Sequence, residues 1–470
     1  MTEDEKHPVR SWPSLLARLI AILMAVVAGV VLIALLALGV IVWQVRSRHF
    51  AAQDAVRQQI AEFHSAGEPI TSQDMYAFHR LPPGTPDATD AWLAVLDTFD
   101  QEQFDADVSS FELETLFKGD MPASLSDDQQ PAAQKLLAKY ETTLAAAEKA
   151  AATPGECRFP VEFEKAYAAS NDHIAALRSL GRLQLLSARL RALNGDIEGA
   201  IDLLAQAIAT SAALSRQPSD LENIIRTVIL VKTFDELQWL LNATELEDVQ
   251  LARLQTELDS IDLDHGLTIG LLGDRALMFE AFRTGYEPGA VSIMDGHKDA
   301  ELPPAAIPCH LYLTWISKFV AASREPFPQA LRSADRIESE FLAAMNDGDF
   351  LERQHYKSIS QDVTLDAMGF QSQARTVAYH QLLRVAVAAE RYRLKTEAYP
   401  QALSDLVPEY LPSEPIDPFD GLPVRLTSSE HELLTYSVSY NFADELGLND
   451  VSAVQPDMPV RIRAEKGQLP

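Results

Sequence analysis

One unbroken apolar run dominates the hydropathy pattern. From Leu19 to Trp43 the chain has 25 residues without a charge. A helix needs about 20 apolar residues to cross the hydrocarbon core, so the run predicts a transmembrane helix with some tilt. Arg18 stands at one end, and Trp43, Arg46 and Arg48 stand at the other, where interface anchors belong. The competing reading is a cleaved signal peptide, with small residues near Ala37 and Gly39 as its processing site. Signal peptides carry apolar regions of about 7–15 residues, and this run is far longer. No polar face interrupts it, which argues against a buried helix of a soluble domain.

Beyond the run the spacing is mostly helical. Residues 50–66 read as a continuation of the membrane helix, closed by Gly67. Thr71 and Ser72 can cap a short helix through His79. Pro82, Pro83 and Pro86 then break the chain. Asp87 can cap the next helix, which carries Trp92, Leu93 and Leu96 on one face. Residues 100–128 read as acidic and irregular, and one helix is predicted over 131–152. From Asn171 to Leu258 apolar residues recur at helical spacing, as in Leu177, Leu180, Leu183 and Leu186. Further helices are expected over 245–261, 270–282, 309–322, 332–346 and 371–396, with a Gly- and Pro-punctuated loop over 286–308.

Residues 187–213 resemble one tetratricopeptide-type helical hairpin. Ala188, Ala200, Leu204 and Ala207 fall where that repeat takes small or apolar residues, and Gly195-Asp196 supplies the turn. No second copy follows at the 34-residue period, so an ordinary antiparallel helix pair is the alternative.

From Val385 the pattern changes. The chain reads VAVAAERYRLKTEAYPQALSDLVPEYLPSEPIDPFDGLPVRL, then LLTYSVSYNFADELG. Pro400 stops a helix, Pro412, Pro415 and Pro418 hold an extended crossing, and Gly421 permits a turn into a strand at 424–427. Residues 432–439 give the partner strand. The segment 458–463 is a candidate third strand, with Val460 and Ile462 alternating against Arg461 and Arg463. Leu422, Val424 and Leu426 share one face; Leu434, Tyr436 and Val438 share one on the partner. The helix through Tyr392 is expected to pack against this pair.

Tyr399-Pro400, Asp417-Pro-Phe-Asp-Gly421 and Tyr436-Ser437 together resemble the C-terminal half of the major pseudopilin of type II secretion systems. The likeness covers about 60 residues. It departs from the family at the N-terminus, where no leader-processing site and no Glu within the apolar helix is present. The resemblance therefore implies an uncharacterised bacterial membrane-anchored protein carrying such a module, not a pilus subunit. It also implies a location outside the cytoplasm for the large domain. The flanking charges do not decide this, since Lys6, Arg10 and Arg18 precede the span and Arg46, Arg48 and Arg57 follow it. In that family a loop after Tyr-Ser binds calcium. Asp444, Glu445 and Asp450 correspond here, but they offer fewer oxygens than the 6–8 that calcium takes, so none is expected.

The expected fold is mainly α: an N-terminal transmembrane helix, a helical-hairpin body and a small C-terminal α+β unit with a short antiparallel sheet. The expected divisions are an arm at 1–18, the membrane helix at 19–43, juxtamembrane helices and linker at 44–130, the body at 131–370 and the C-terminal unit at 371–470.

Charge narrows the function classes. The net charge is −29, and behind residue 48 the chain holds 34 basic against 65 acidic residues. Such a surface repels phosphate backbones, which excludes nucleic acid as an expected partner. Membrane lipid, met through residues 19–43, is the expected one, with a further protein of the cell envelope beside it. Cys157 and Cys309 are too few for a disulfide scaffold. No phosphate-binding, dinucleotide or nucleophile-elbow motif occurs. His431-Glu432 lacks the second histidine of a zinc-protease helix. Asp295, His297 and Asp299 sit in a polar loop, and Asp259, Asp262, Asp264 and His265 read as a helix end and turn. Asn242-Ala-Thr244 is a glycosylation sequon. No residue is thus assigned to catalysis, cofactor binding or metal ligation, and no cofactor is expected. A binding or structural protein using helical surfaces is the expectation. The alternative is an envelope enzyme whose carboxylates or histidines converge from distant positions.

Overall fold

The computed structural model describes residues 12–113, 125–168, 172–285, 305–440 and 457–467. Fourteen α-helices and one three-stranded antiparallel sheet lie among them. Helix α1 runs unbroken from Trp12 to Ser65. It is the one described helix long and apolar enough to cross a membrane. Its side chains between Leu19 and Val45 are exposed, whereas Ala52, Val56 and Phe63 are buried in the body. The same helix therefore changes surface along its length, from a fully apolar exterior to a stripe that packs on helix α12 (Ala306–Ala322).

The far end of α1 is clamped. Arg275 is fully buried and donates to the Glu68 carboxylate at 2.7 Å and to the Pro69 carbonyl at 2.9 Å. Its guanidinium also lies 4.0 Å from the Phe63 ring centroid. Gly67 adopts the left-handed conformation that ends the helix. Thr71 caps α2 (Ser72–Phe78) through a capping box with Asp74, as expected. Helix α3 (Thr89–Leu96) follows, with Asp87 accepting from the Thr89 amide.

Two local expectations fail here. Residues 101–110 form a helix, α4, capped by Asp100, in the stretch read as irregular. The helix expected over 131–152 is two, α5 (Gln130–Lys139) and α6 (Glu141–Ala151). They break at Tyr140, whose hydroxyl donates to buried Asp107 at 2.9 Å and whose ring packs on Phe104. Tertiary contacts there override the helix propensity of the flanking alanines.

Helices α7 (Asp172–Leu193) and α8 (Ile197–Ala212) form the expected hairpin, turning on Gly195 with Asp196 capping α8. Helix α9 (Asp220–Ala243) packs across both. Arg189 of α7 forms a buried bidentate pair with Glu236 of α9, at 2.7 and 2.6 Å, and stacks on Trp239. Helices α10 (Asp248–Asp259), α11 (Gly266–Arg283), α12 and α13 (Gln329–Asp347) complete the ring around the long α14 (Phe350–Thr396). Helix α14 begins at a capping box of Asp349 and Glu352, some twenty residues before its expected start. The boundary expected at 370/371 falls inside it.

The sheet follows the expected order. Strand β1 (Arg425–Ser428) pairs with β2 (Glu432–Ser437), and β2 with β3 (Met458–Arg463). Register sets Leu426 opposite Thr435, and Leu433 opposite Ile462. Opposed residues share a face, so β2 turns Leu433 and Thr435 towards α14, while Leu434 and Tyr436 share its other face. All four are buried, because both faces of β2 are covered. Leu433, Val460 and Ile462 join Leu382, Val385 and Ala389 of α14 in one core cluster, with Tyr392 against it. Asp417, fully buried, organises the turn before β1. It accepts from the Phe419 amide, the Ser437 hydroxyl, the Val438 amide and Arg425. Gly421 has positive φ, as that turn demands.

Candidate functional site

The positions weighed in the sequence do not converge. Asp262 takes bonds from Arg216 and the Asp264 amide beside His265, and Asp259 pairs with Arg384. Both belong to an exposed helix end. Asn242 is engaged in docking, since its amide bonds the Arg461 carbonyl and its oxygen accepts from the Arg463 amide. Glu432 opens β2 and pairs with Arg461. Cys157 and Cys309 are buried, free and in different core clusters; burial pushes the Cys157 thiol up to about 12. Asp295, His297, Asp299, Asp444, Glu445 and Asp450 lie outside the described residues.

Two of the concave features among the described residues bear on function. The larger is a groove of about 990 Å³ between α11, α14 and the turn joining α12 to α13. Its floor includes Leu263, Leu267, Leu272 and Phe327, and its rim includes Arg158, Arg216 and Arg324. Each rim arginine already has a carboxylate partner: Glu156, Asp262 and Glu68 respectively. The groove thus presents apolar surface with a neutralised rim.

The smaller feature is chemically sharper. A cavity of about 330 Å³ lies where the start of α9 meets α11 and α14. Asp220 and Glu222 come from α9, Asp274 from α11, and Asp362 and Asp366 from α14. Glycines allow this meeting. A Cβ on Gly270 would lie 2.9 Å from the Asp220 Cα, one on Gly273 1.7 Å from the Pro218 carbonyl oxygen, and one on Gly369 3.2 Å from an Asp220 carboxylate oxygen. Only residues without a side chain admit the α9 backbone this closely.

Glu222 is satisfied by His173 at 2.7 Å, itself stacked on Phe159. The four aspartates have no such partner. Asp220 and Asp366 are each 5% exposed, and one carboxylate oxygen of each has no hydrogen-bond partner. Asp274 and Asp362 are half-buried on the cavity wall, with Asp274 accepting from the Asp220 amide at 3.2 Å. No Lys, Arg or His is among the described residues lining the cavity. Burial holds every one of these carboxyls above the usual range: Asp362 up to about 6, and Asp274 and Asp366 well above it. Asp220 is raised by the same cause, against a bond from Asn223. Mutual repulsion adds to burial, most clearly at Asp366, which feels Asp274, Asp220 and Asp362.

Exposed Leu221 and Leu365 line the opening. The remaining walls include Val161, Ile224, Leu277 and Tyr312. No three carboxylates, histidines or cysteines among the described residues stand close enough together to hold a metal ion. The arrangement therefore offers dispersed negative charge on apolar walls. Sequence reasoning missed it because its parts lie on three helices. One local signal existed: Ile359, Val363, Asp366 and Phe370 form a single helical stripe, with an aspartate at a core position. No family model matches the chain, and no curated protein or solved structure is similar to it at a significant level.

Proposed function

We propose that the chain is a membrane-anchored binding protein of the cell envelope, and that its binding centre is the carboxylate-lined cavity. Residues 19–43 meet membrane lipid, and the helical body stands outside the cytoplasm. The pseudopilin-like C-terminal module supports that side, and alkaline phosphatase fused after Pro470 should be active; an inactive fusion beside an active cytoplasmic reporter reverses it.

The observation that carries the binding reading is the pair of buried, unpartnered carboxylate oxygens on Asp220 and Asp366. An unpaired buried polar group costs about 1–3 kcal/mol, more when it is charged. A ligand that donates to these oxygens would relieve that cost. Asp366→Asn, nearly isosteric, should therefore raise the melting temperature of the ligand-free protein at pH 8. A lowered melting temperature would show that Asp366 serves the fold, and the binding reading would fall.

A catalytic reading draws on the same residues, because burial raises Asp362 to about 6 and raises Asp274 and Asp366 further, with mutual repulsion adding to it. Carboxyl groups driven apart in this way can act as base and acid. Ser219, the serine lining the cavity, caps α9 by accepting from the Leu221 amide. Binding is the better-supported use.

A further inference from the structure

We propose that the cavity's ligand is a short aliphatic diamine or polyamine, a reading that rests on the binding role given above and names its ligand class. Three observations select this class over a metal ion. First, the charges are dispersed: Asp220, Asp274, Asp362 and Asp366 sit on three helices around one space, without a tight cluster among them. A divalent metal needs oxygens gathered within about 2.0–2.6 Å of one point. A polyamine needs separated acceptors, one group for each ammonium head. Each head carries three donors, which suit the unpartnered oxygens of Asp220 and Asp366.

Second, the walls between the carboxylates are apolar. Val161, Ile224 and Leu277 would cover methylenes, and Tyr312 lines the same space. A hydrated metal ion gains nothing from such walls. Third, the volume of about 330 Å³ is at the lower end for small-molecule sites, which run from about 300 Å³ upwards. That suits a slender chain rather than a bulky nucleotide or sugar. The acidic body, with 65 acidic against 34 basic residues behind residue 48, draws cations towards the opening at Leu221 and Leu365.

The test uses the full chain in detergent at pH 7.5. Putrescine, cadaverine and spermidine are titrated by calorimetry and by thermal shift, alongside magnesium, calcium, manganese and a monoamine, at matched ionic strength. The diamines should raise the melting temperature in a saturable way, more than the monoamine does. Asp366→Asn should weaken their binding by ~30-fold or more, as loss of one partner of a desolvated charge pair does. Asp362→Asn, at the half-buried wall, provides a second variant should Asp366→Asn not fold. Asp90→Asn, on the exposed start of α3, should leave binding unchanged.

Stabilisation by a divalent metal alone, or a diamine effect that survives both cavity variants, overturns the proposal. So does the absence of any diamine effect. If Asp366→Asn stabilises the ligand-free protein but no amine binds, the ligand class is wrong and the binding centre stands. If Asp366→Asn destabilises the ligand-free protein, both fall.

Discussion

Asp362→Asn isolates the electrostatic cost of the cavity. Burial raises this carboxyl from 3.8 to about 6. The folded chain thus holds a proton that the unfolded chain releases at lower pH. Stability from this group is complete below about pH 4 and is lost as pH rises through 6. Two pKa units amount to ~3 kcal/mol, and water at the half-buried wall screens the cost to ~1–2 kcal/mol at pH 8. Asn keeps the shape and cannot ionise. The variant should differ least from the parent below about pH 4 and exceed it most at pH 8. Unfolding entropy near ~2.1 cal/mol/K per residue translates that gain into ~2 °C for a body of this size. Differential scanning fluorimetry in detergent at both pH values measures it. An equal shift at both pH values, or a lower melting temperature at pH 8, would refute the reasoning.

Gly273→Ala should destabilise by at least ~3 kcal/mol, since its Cβ would lie 1.7 Å from the Pro218 carbonyl oxygen and backbone must move; thermal melts read the loss, and a neutral outcome would mean the α9–α11 approach is looser than described. Arg189→Ala should cost ~3–5 kcal/mol by stranding buried Glu236, whereas Arg189→Met with Glu236→Leu should recover most of it. Urea melts of both variants check the pair. Asp417→Ala removes one acceptor from four donors and should cost ~3 kcal/mol or more, visible as earlier proteolysis of the C-terminal unit; unchanged proteolysis counts against its organising role.

Where local pattern dictates structure, the sequence was legible. The apolar run, the Asn-Gly-Asp hairpin turn and the third strand at 458–463 are all set by neighbours in the chain. Failures trace to distant contacts. Tyr140 breaks a helix because Asp107, 33 residues away, takes its hydroxyl. Which of the two apolar alternations of β2 faces the helix is decided by register, fixed by pairing Leu426 with Thr435, and the strand pattern alone does not carry that. The first half of α14 exposes Phe350, Leu351, Leu365 and Met368 as well as polar residues, which blurs its period, although Asp349 and Glu352 spell out its start. The cavity needed α9, α11 and α14 together, and only Asp366 betrayed it locally.

On the proposed membrane-anchored reading, the uninterrupted α1 makes membrane thickness an input to the body's attitude. Twenty-five apolar residues measure ~37 Å as a helix, against a hydrocarbon slab of ~30 Å. Matching the two calls for an inclination of ~35°. A slab ~3 Å thicker would bring the helix ~8° closer to upright. Arg275 fastens the segment just past the distal end of the same rod to the core, so that rotation would pass to the body. From Trp43 to Ser65 the rod extends a further ~33 Å, so its tip would swing by ~5 Å. The helical body then leans with the bilayer, as a mast leans with its hull.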